Sequence, residues 1–122
     1  MSLVLVVEDS PLQREMIATL LREVGFQVAV AADGVEAMAM FEKTPPELVV
    51  VDVVMPNMNG YELCRQLKNN DATKHIPIVM CSTKAEEFDR YWGMRQGADA
   101  YISKPFQPQE MVGIVKGLLK KK

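Results

Sequence analysis

Three acids, two hydroxyls and one lysine stand where this chain could use them for chemistry: Glu8 and Asp9, Asp52, Ser82 and Thr83, and Lys104. Each closes an apolar run. Glu8-Asp9 follows Leu3-Val4-Leu5-Val6-Val7, Asp52 follows Leu48-Val49-Val50-Val51, Ser82-Thr83 follows Ile78-Val79-Met80-Cys81, and Lys104 comes shortly after Ala100-Tyr101-Ile102. Carboxylates gathered within about 4–6 Å of one another repel, and one takes up a proton unless a cation compensates. Lys104 offsets one of the three negative charges. All-oxygen ligands with positions left for water suit Mg²⁺. A divalent cation, an ammonium and an open carboxylate together make a receptor for an oxyanion, and phosphoryl is the natural candidate.

Such convergence needs a fold that brings strand ends to one edge. The run at 48–51 is short, rich in β-branched residues and bounded by Pro45-Pro46 and Pro56-Asn57. It reads as a strand buried on both faces, the kind found in parallel sheets covered by helices. The run at 3–7 is a second such strand. Ser10 caps the helix that follows, with Pro11 at its first position, where the missing N–H costs nothing. Leu12, Met16, Ile17, Leu20, Leu21 and Val24 recur at helical spacing up to Gly25. Residues 26–31 form the next strand, and Asp33-Gly34 opens a helix carrying Val35, Met38, Ala39 and Phe41. After the central strand come a helix at 61–68, a strand at 76–81, a helix at 85–96, a strand at 98–102 and a closing helix at 108–120. Met111, Val112, Val115, Leu118 and Leu119 form the buried side of that last helix. Strand and helix alternate five times, which predicts an α/β fold with a parallel, doubly wound five-stranded sheet, because parallel neighbours need crossovers and these are helical. In such sheets ligands bind at the carboxyl ends of the strands.

Composition narrows the function. The 122 residues are 48% hydrophobic and 25% charged with net charge −2, ordinary globular values. Only Lys120 to Lys122 form a basic run, so nothing suggests a nucleic-acid footprint. No apolar stretch approaches the roughly 20 residues needed to cross a bilayer, and a cytoplasmic location is expected. Cys64 and Cys81 lack metal-ligand spacing and are expected to be free thiols. The chain reads as one domain over residues 1–122 with no output domain.

The pattern resembles the receiver domains of two-component response regulators. The acidic pair Glu8-Asp9, Asp52 with Met55-Pro56 and Gly60, Ser82, Tyr101, and Lys104-Pro105-Phe106 match that family in order. The resemblance implies a flavodoxin-like sheet of strand order 2-1-3-4-5 with five helices. It implies that Asp52 accepts a phosphoryl group from a sensor histidine kinase. Asp9 and Asp52 would ligate Mg²⁺ directly, Glu8 through water, and the carbonyl of Val54 would complete the protein ligands. Lys104 and Ser82 would contact phosphoryl oxygens. Ser82 and Tyr101 would act as the switch that reshapes the face of the fourth helix, fifth strand and fifth helix. The resemblance also implies a cis Lys104–Pro105 bond, and partner choice near Gln13, Arg14 and 106–108. Residues 82–84 and 89–101 look most like stand-alone regulators of twitching, phototactic and chemotactic motility. That implies a downstream motility or relay protein and a monomer or weak dimer. The competing reading is a phosphorylation-independent adaptor that keeps the fold. An aspartyl-phosphate hydrolase would want a second aspartate where Val54 stands, and a nucleotide or flavin binder a glycine-rich turn where Glu8-Asp9-Ser10-Pro11 stands.

Several finer expectations follow. Alternation after Val79-Met80-Cys81 leaves Ser82 and Thr83 both eligible for the site, and the family register favours Ser82. Phe88 and Trp92, four apart, are expected to share a core-facing helical side. Met38, Met40, Met55, Met58, Met80, Met94 and Met111 are expected mostly in the core. Val54 cannot hydrogen-bond a hydrolytic water, and Lys84 places a positive charge two residues after Ser82. Both point to a long-lived phosphorylated form.

Overall fold

The computed structural model describes residues 2–84 and 86–120. Its elements alternate: β1 (Leu3–Val7), α1 (Pro11–Glu23), β2 (Gln27–Ala31), α2 (Gly34–Lys43), β3 (Leu48–Val51), α3 (Gly60–Lys68), β4 (Ile78–Ser82), α4 (Glu87–Arg95), β5 (Ala100–Ser103) and α5 (Pro108–Lys120). The sheet has five strands in the order β2-β1-β3-β4-β5, and every pairing is parallel. The predicted α/β class and strand order are both present. Boundaries shift by a residue or two: β2 begins at Gln27, β4 at Ile78 and β5 at Ala100, while α3 begins at Gly60. Residue 85, where the predicted fourth helix began, lies outside the described residues.

Side chains alternate across the pleat, so each buried strand feeds two cores. Leu5, Val7, Val49, Val51, Ile78, Met80 and Tyr101 pack with Ala37 and Phe41 of α2 and Leu63, Cys64 and Leu67 of α3. Val4, Val6, Leu48, Val50, Val79, Cys81 and Ile102 pack on the other face with Ile17 and Leu21 of α1 and Met111 and Val115 of α5. Local chemistry starts the helices as expected. Ser10 Oγ accepts from the Gln13 N–H, Asp33 from Glu36 and Asn59 from Glu62.

Two helices present different sides from those expected. In α1 the buried residues are Ile17, Ala18 and Leu21, whereas Leu12 is 82% and Met16 53% exposed. A 3.6-residue period carries Leu12 and Met16 well away from the Ile17–Leu21 side, so both cannot lie inward. In α4 the inward residues are Asp89 and Gly93, and Phe88 and Trp92 stand out at 72% and 42% exposed. A Cβ at Gly93 would lie 2.8 Å from Met80 Sδ and 2.9 Å from Tyr101 Cδ2. The helix therefore rides close on the sheet over a glycine, and its bulky residues are turned outward. Met94, expected in the core, is exposed for the same reason, and Val35 of α2 is exposed too.

Candidate functional site

The carboxyl ends of β1, β3, β4 and β5 lie along one edge, and the polar residues that follow them meet there. In-register pairing sets Val7 beside Val51 and Ser82 beside Ser103. The acids after β1 and β3 are thus neighbours by construction. One carboxylate oxygen each of Glu8, Asp9 and Asp52 lies within 4.8 Å of the others, with Glu8 buried, Asp52 half-buried and Asp9 exposed.

Lys104 reaches into this cluster. Its Nζ donates to Glu8 Oε1 in a short ion pair, to Gln13 Oε1 at 2.5 Å, and to Asp52 Oδ2 at 3.3 Å. The Lys104 side chain is only 10% exposed. Burial pulls the ammonium's pKa down, but the Glu8 hydrogen bond and the Asp52 and Glu8 charges together outweigh it and hold the pKa up. Burial likewise raises the Glu8 carboxyl, against the Lys104 hydrogen bond, and the Asp52 charge raises it further. Glu8 is anchored from both sides. Its Oε2 accepts from the Ser10 N–H, and its carbonyl accepts from Arg14 Nη1 at 2.9 Å.

The cluster suits a divalent cation on the chemistry of its donors. It offers oxygen only, carries three acids against one ammonium, and leaves Asp9 open to solvent. Oxygens bound to Mg²⁺ at about 2.0–2.1 Å lie up to roughly 4 Å apart. The observed spacing thus lets two carboxylates bind directly with the third reached through water.

Ser82 is fully buried and Thr83 exposed, which separates the two hydroxyls that alternation left open. Ser82 Oγ accepts from the Lys84 N–H at 3.1 Å, and the Tyr101 hydroxyl donates to the Lys84 carbonyl. Both polar backbone groups of Lys84 are thus held by Ser82 and Tyr101. Tyr101 itself is buried beneath α4, with the Arg90 guanidinium 5.6 Å from its ring centroid. Burial pushes its hydroxyl pKa well up, and Tyr61 adds to the shift. The Lys84 ammonium is 3.8 Å from Asp89 Oδ1, on α4. Val54, the other residue behind the long-lifetime expectation, donates its N–H to Asp52 Oδ1 at 3.3 Å and has an exposed side chain.

The loop after β3 is pinned from two directions. Asn57 donates to Asp33 Oδ2 at 2.8 Å, and the Gly60 N–H donates to the Val53 carbonyl at 2.9 Å. The Lys104–Pro105 bond is cis. Gln13, expected only near the partner-choice surface, belongs to the site through its contact with Lys104. The available signal was its place in the first turn of α1, beside the strand ends. A groove of about 800 Å³ opens next to Lys104, lined by Leu12, Met16 and Leu20 of α1 and by Thr83, Phe106 and Pro108. The exposed apolar residues of α1, Leu12 and Met16, line it.

The response regulator receiver domain family matches residues 4–116. The chain belongs to this family. The receiver is 41% identical over 113 residues to protein PilG of Pseudomonas aeruginosa, covering 93% of this chain and 84% of that one. It spans about half the length of other curated relatives, such as the DNA-binding response regulator MtrA of Mycolicibacterium smegmatis, 40% identical over 118 residues. Among solved structures it is similar to the chemotaxis protein CheY4 of Vibrio cholerae, with TM-score 0.90 and 32% identity, covering 97% of this chain and 98% of that one. It is also similar to the receiver domain of sensor histidine kinase PA1611 of P. aeruginosa, solved with a magnesium ion coordinated in its active-site cleft. There the TM-score is 0.90 at 27% identity, covering 98% of both chains. Receiver domains are signalling domains rather than conventional enzymes, and membership of the family implies a histidine kinase phosphodonor. No helix among the described residues is long and apolar enough to cross a membrane.

Proposed function

We propose that this receiver is a phosphorylation switch acting as a stand-alone regulator in motility or taxis signalling, in the cytoplasm, with Asp52 as its phosphoacceptor. The observation that carries the reading is the cluster of Glu8, Asp9 and Asp52 with the Lys104 ammonium 3.3 Å from Asp52. Asp52 is the one of the three acids that is both close to the ammonium and partly open. The similarity to PilG and CheY4 supports the motility assignment.

In the transfer, an Asp52 carboxylate oxygen forms a bond to phosphorus while the phosphorus–nitrogen bond of the donor's phosphohistidine breaks. The electron pair leaves with the imidazole. Asp9 and Asp52, with the Val54 carbonyl and a water held by Glu8, would hold Mg²⁺. When bound, the ion neutralises charge on the transferring oxygens and aligns them. Lys104 supplies fixed positive charge beside Asp52, the kind of preorganised electrostatics that dominates phosphoryl transfer. For this it exchanges part of its present bonding to Glu8 and Gln13 for a phosphoryl oxygen. Ser82 turns its hydroxyl from accepting the Lys84 N–H to donating to the phosphoryl group. That releases one of the two bonds holding Lys84, and Tyr101 holds the other. Occupancy at Asp52 is thereby transmitted to α4, β5 and α5, whose shared face is the downstream partner site, as a population shift between two packings. The groove between α1 and residues 105–108 ends at Lys104 and is the docking place for the kinase helix that carries the phosphohistidine.

Intact mass after incubation with acetyl phosphate, with and without Mg²⁺, tests the reading on wild type and Asp52→Ala. One added phosphoryl group that requires both Mg²⁺ and Asp52 is the expected result. No addition to the folded protein would instead make it a phosphorylation-independent adaptor and Asp52 a structural acid.

A further inference from the structure

Nine large apolar side chains are exposed among the described residues, and four of them fall within seven positions of one helix: Phe88, Tyr91, Trp92 and Met94 of α4. Phe88, Tyr91 and Trp92 continue to Arg95 at spacings of three, four and seven, which makes a single stripe along the helix. The inward side of α4 is Asp89 and Gly93. The side toward β5 is marked by Arg90, which donates to the Tyr101 carbonyl at 3.1 Å and to Ser103 Oγ at 2.6 Å. The stripe lies roughly 150° around the helix from Arg90 at 3.6 residues per turn. It is therefore separate from the α4–β5–α5 face assigned above to the output partner.

We propose that this stripe pairs two copies of the chain, antiparallel, about a two-fold axis passing between Tyr91 and Trp92. The order of residues is what selects a second copy. Read from that midpoint, the stripe matches its own reversal: Tyr91 meets Trp92 of the second copy, and Phe88 meets Arg95. Glu87 precedes Phe88 at the amino end of the stripe, and Arg95 stands at its carboxyl end. An antiparallel pair therefore sets acid against guanidinium at both ends, and a parallel pair would set like against like. Arg95 is already placed for this, with its guanidinium 6.0 Å from the Tyr91 ring centroid. Two-fold contacts in which residue i meets j and j meets i are the usual form of a self-complementary surface.

The area sets the strength. The three aromatic side chains, each of about 200 Å² when fully exposed, present roughly 350 Å² per copy at their observed exposures. Even with Met94 and the charged ends, the pair stays below the roughly 1,200 Å² of a stable complex, so the dimer is weak, with a dissociation constant of about 0.1–1 mM.

Sedimentation of the full chain from about 10 μM to about 1 mM, without phosphodonor or Mg²⁺, spans that range. The expected result is a mass rising toward two chains, with the emission of Trp92, the single tryptophan, shifting to the blue in step. Arg95→Glu and Glu87→Arg should each weaken association about tenfold on their own, because each sets like charges together at both ends. An equimolar mixture of the two variants should associate as the wild type does, since the mixed pair has opposite charges at both ends. The proposal is overturned by a wild type that stays monomeric over the whole range. It is equally overturned by a dimer indifferent to both substitutions, or by a mixture no better than its components.

Discussion

Gly60 is the position where backbone geometry and proposed chemistry are most tightly joined, and Gly60→Ala puts that connection to the test. A Cβ at residue 60 would lie 2.9 Å from Val53 Cα and 3.0 Å from the Asp52 carbonyl carbon, and nearer still to the Asp52 carbonyl oxygen. Carbon atoms in unstrained contact sit about 3.5–4.0 Å apart, so the two segments must separate by roughly 0.5–1 Å. Neither is a flexible side chain. Asp52 is held to the sheet by its N–H to the Val7 carbonyl at 3.1 Å, and Gly60 is the first residue of α3. Overpacking of this kind costs about 1–3 kcal/mol, and the better helix propensity of alanine returns at most about 1 kcal/mol. A net loss of about 1–2 kcal/mol lowers the melting temperature of a domain this size by roughly 3–10 °C. If Asp52 is displaced by as much as 1 Å, its reaction with acetyl phosphate should slow by up to about 100-fold. Thermal unfolding by circular dichroism reads the first effect. Phosphorylation half-times from intact mass, taken well below the melting transition, read the second. A variant that melts within about 1 °C of wild type and is phosphorylated at an unchanged rate would refute the steric reasoning.

Val54→Asn places an amide where it can hold a hydrolytic water, and loss of the phosphorylated form should accelerate about fivefold for each kcal/mol taken off that barrier, measured by decay of the mass adduct. Cys64 and Cys81 are buried, and burial pushes both thiols up to about 12. Neither should react with iodoacetamide at pH 8 in the native protein, and both should react in urea. Because the folded thiols hold their protons more tightly than unfolded ones, their contribution to stability is complete below about pH 8.5 and is lost as pH rises toward 12. Urea midpoints across that interval check the sign. Asp89→Ala removes the buried acceptor of the Glu86 N–H and should cost about 1–2 kcal/mol in urea unfolding. Lys84→Ala breaks only a 3.8 Å pair from a half-exposed lysine and should cost less than about 0.5 kcal/mol.

Regular features were legible wherever they depended on neighbours in the chain. Apolar runs, caps and helix starts are local, so the five strands and the strand-end positions of Glu8, Asp9, Asp52, Ser82 and Lys104 could be read directly. Helix rotation was harder. Leu12, Met16, Ile17, Leu20 and Leu21 spread over much of the circumference of α1, and nothing local says which part meets the sheet. In α4 the inward side carries Gly93, because close approach to Met80 and Tyr101 leaves no room there for a larger residue.

The linear pattern by itself determined that polar residues stand after four apolar strands, and that helices separate them. Parallel crossovers then oblige those strand ends to share an edge. Which atoms meet at that edge was decided only by tertiary structure. Lys104 lies 96 positions from Glu8, 91 from Gln13 and 52 from Asp52, yet one ammonium bonds all three. Likewise, Ser82 is buried and Thr83 exposed because the β4 register with β5 continues through Ser82 opposite Ser103 and ends there. Spacing along the chain can list the groups available to a site, but hydrogen-bond partners are chosen by distance in space. Those distances are set by sheet register and by the rotation of each helix, which result from packing the whole core at once.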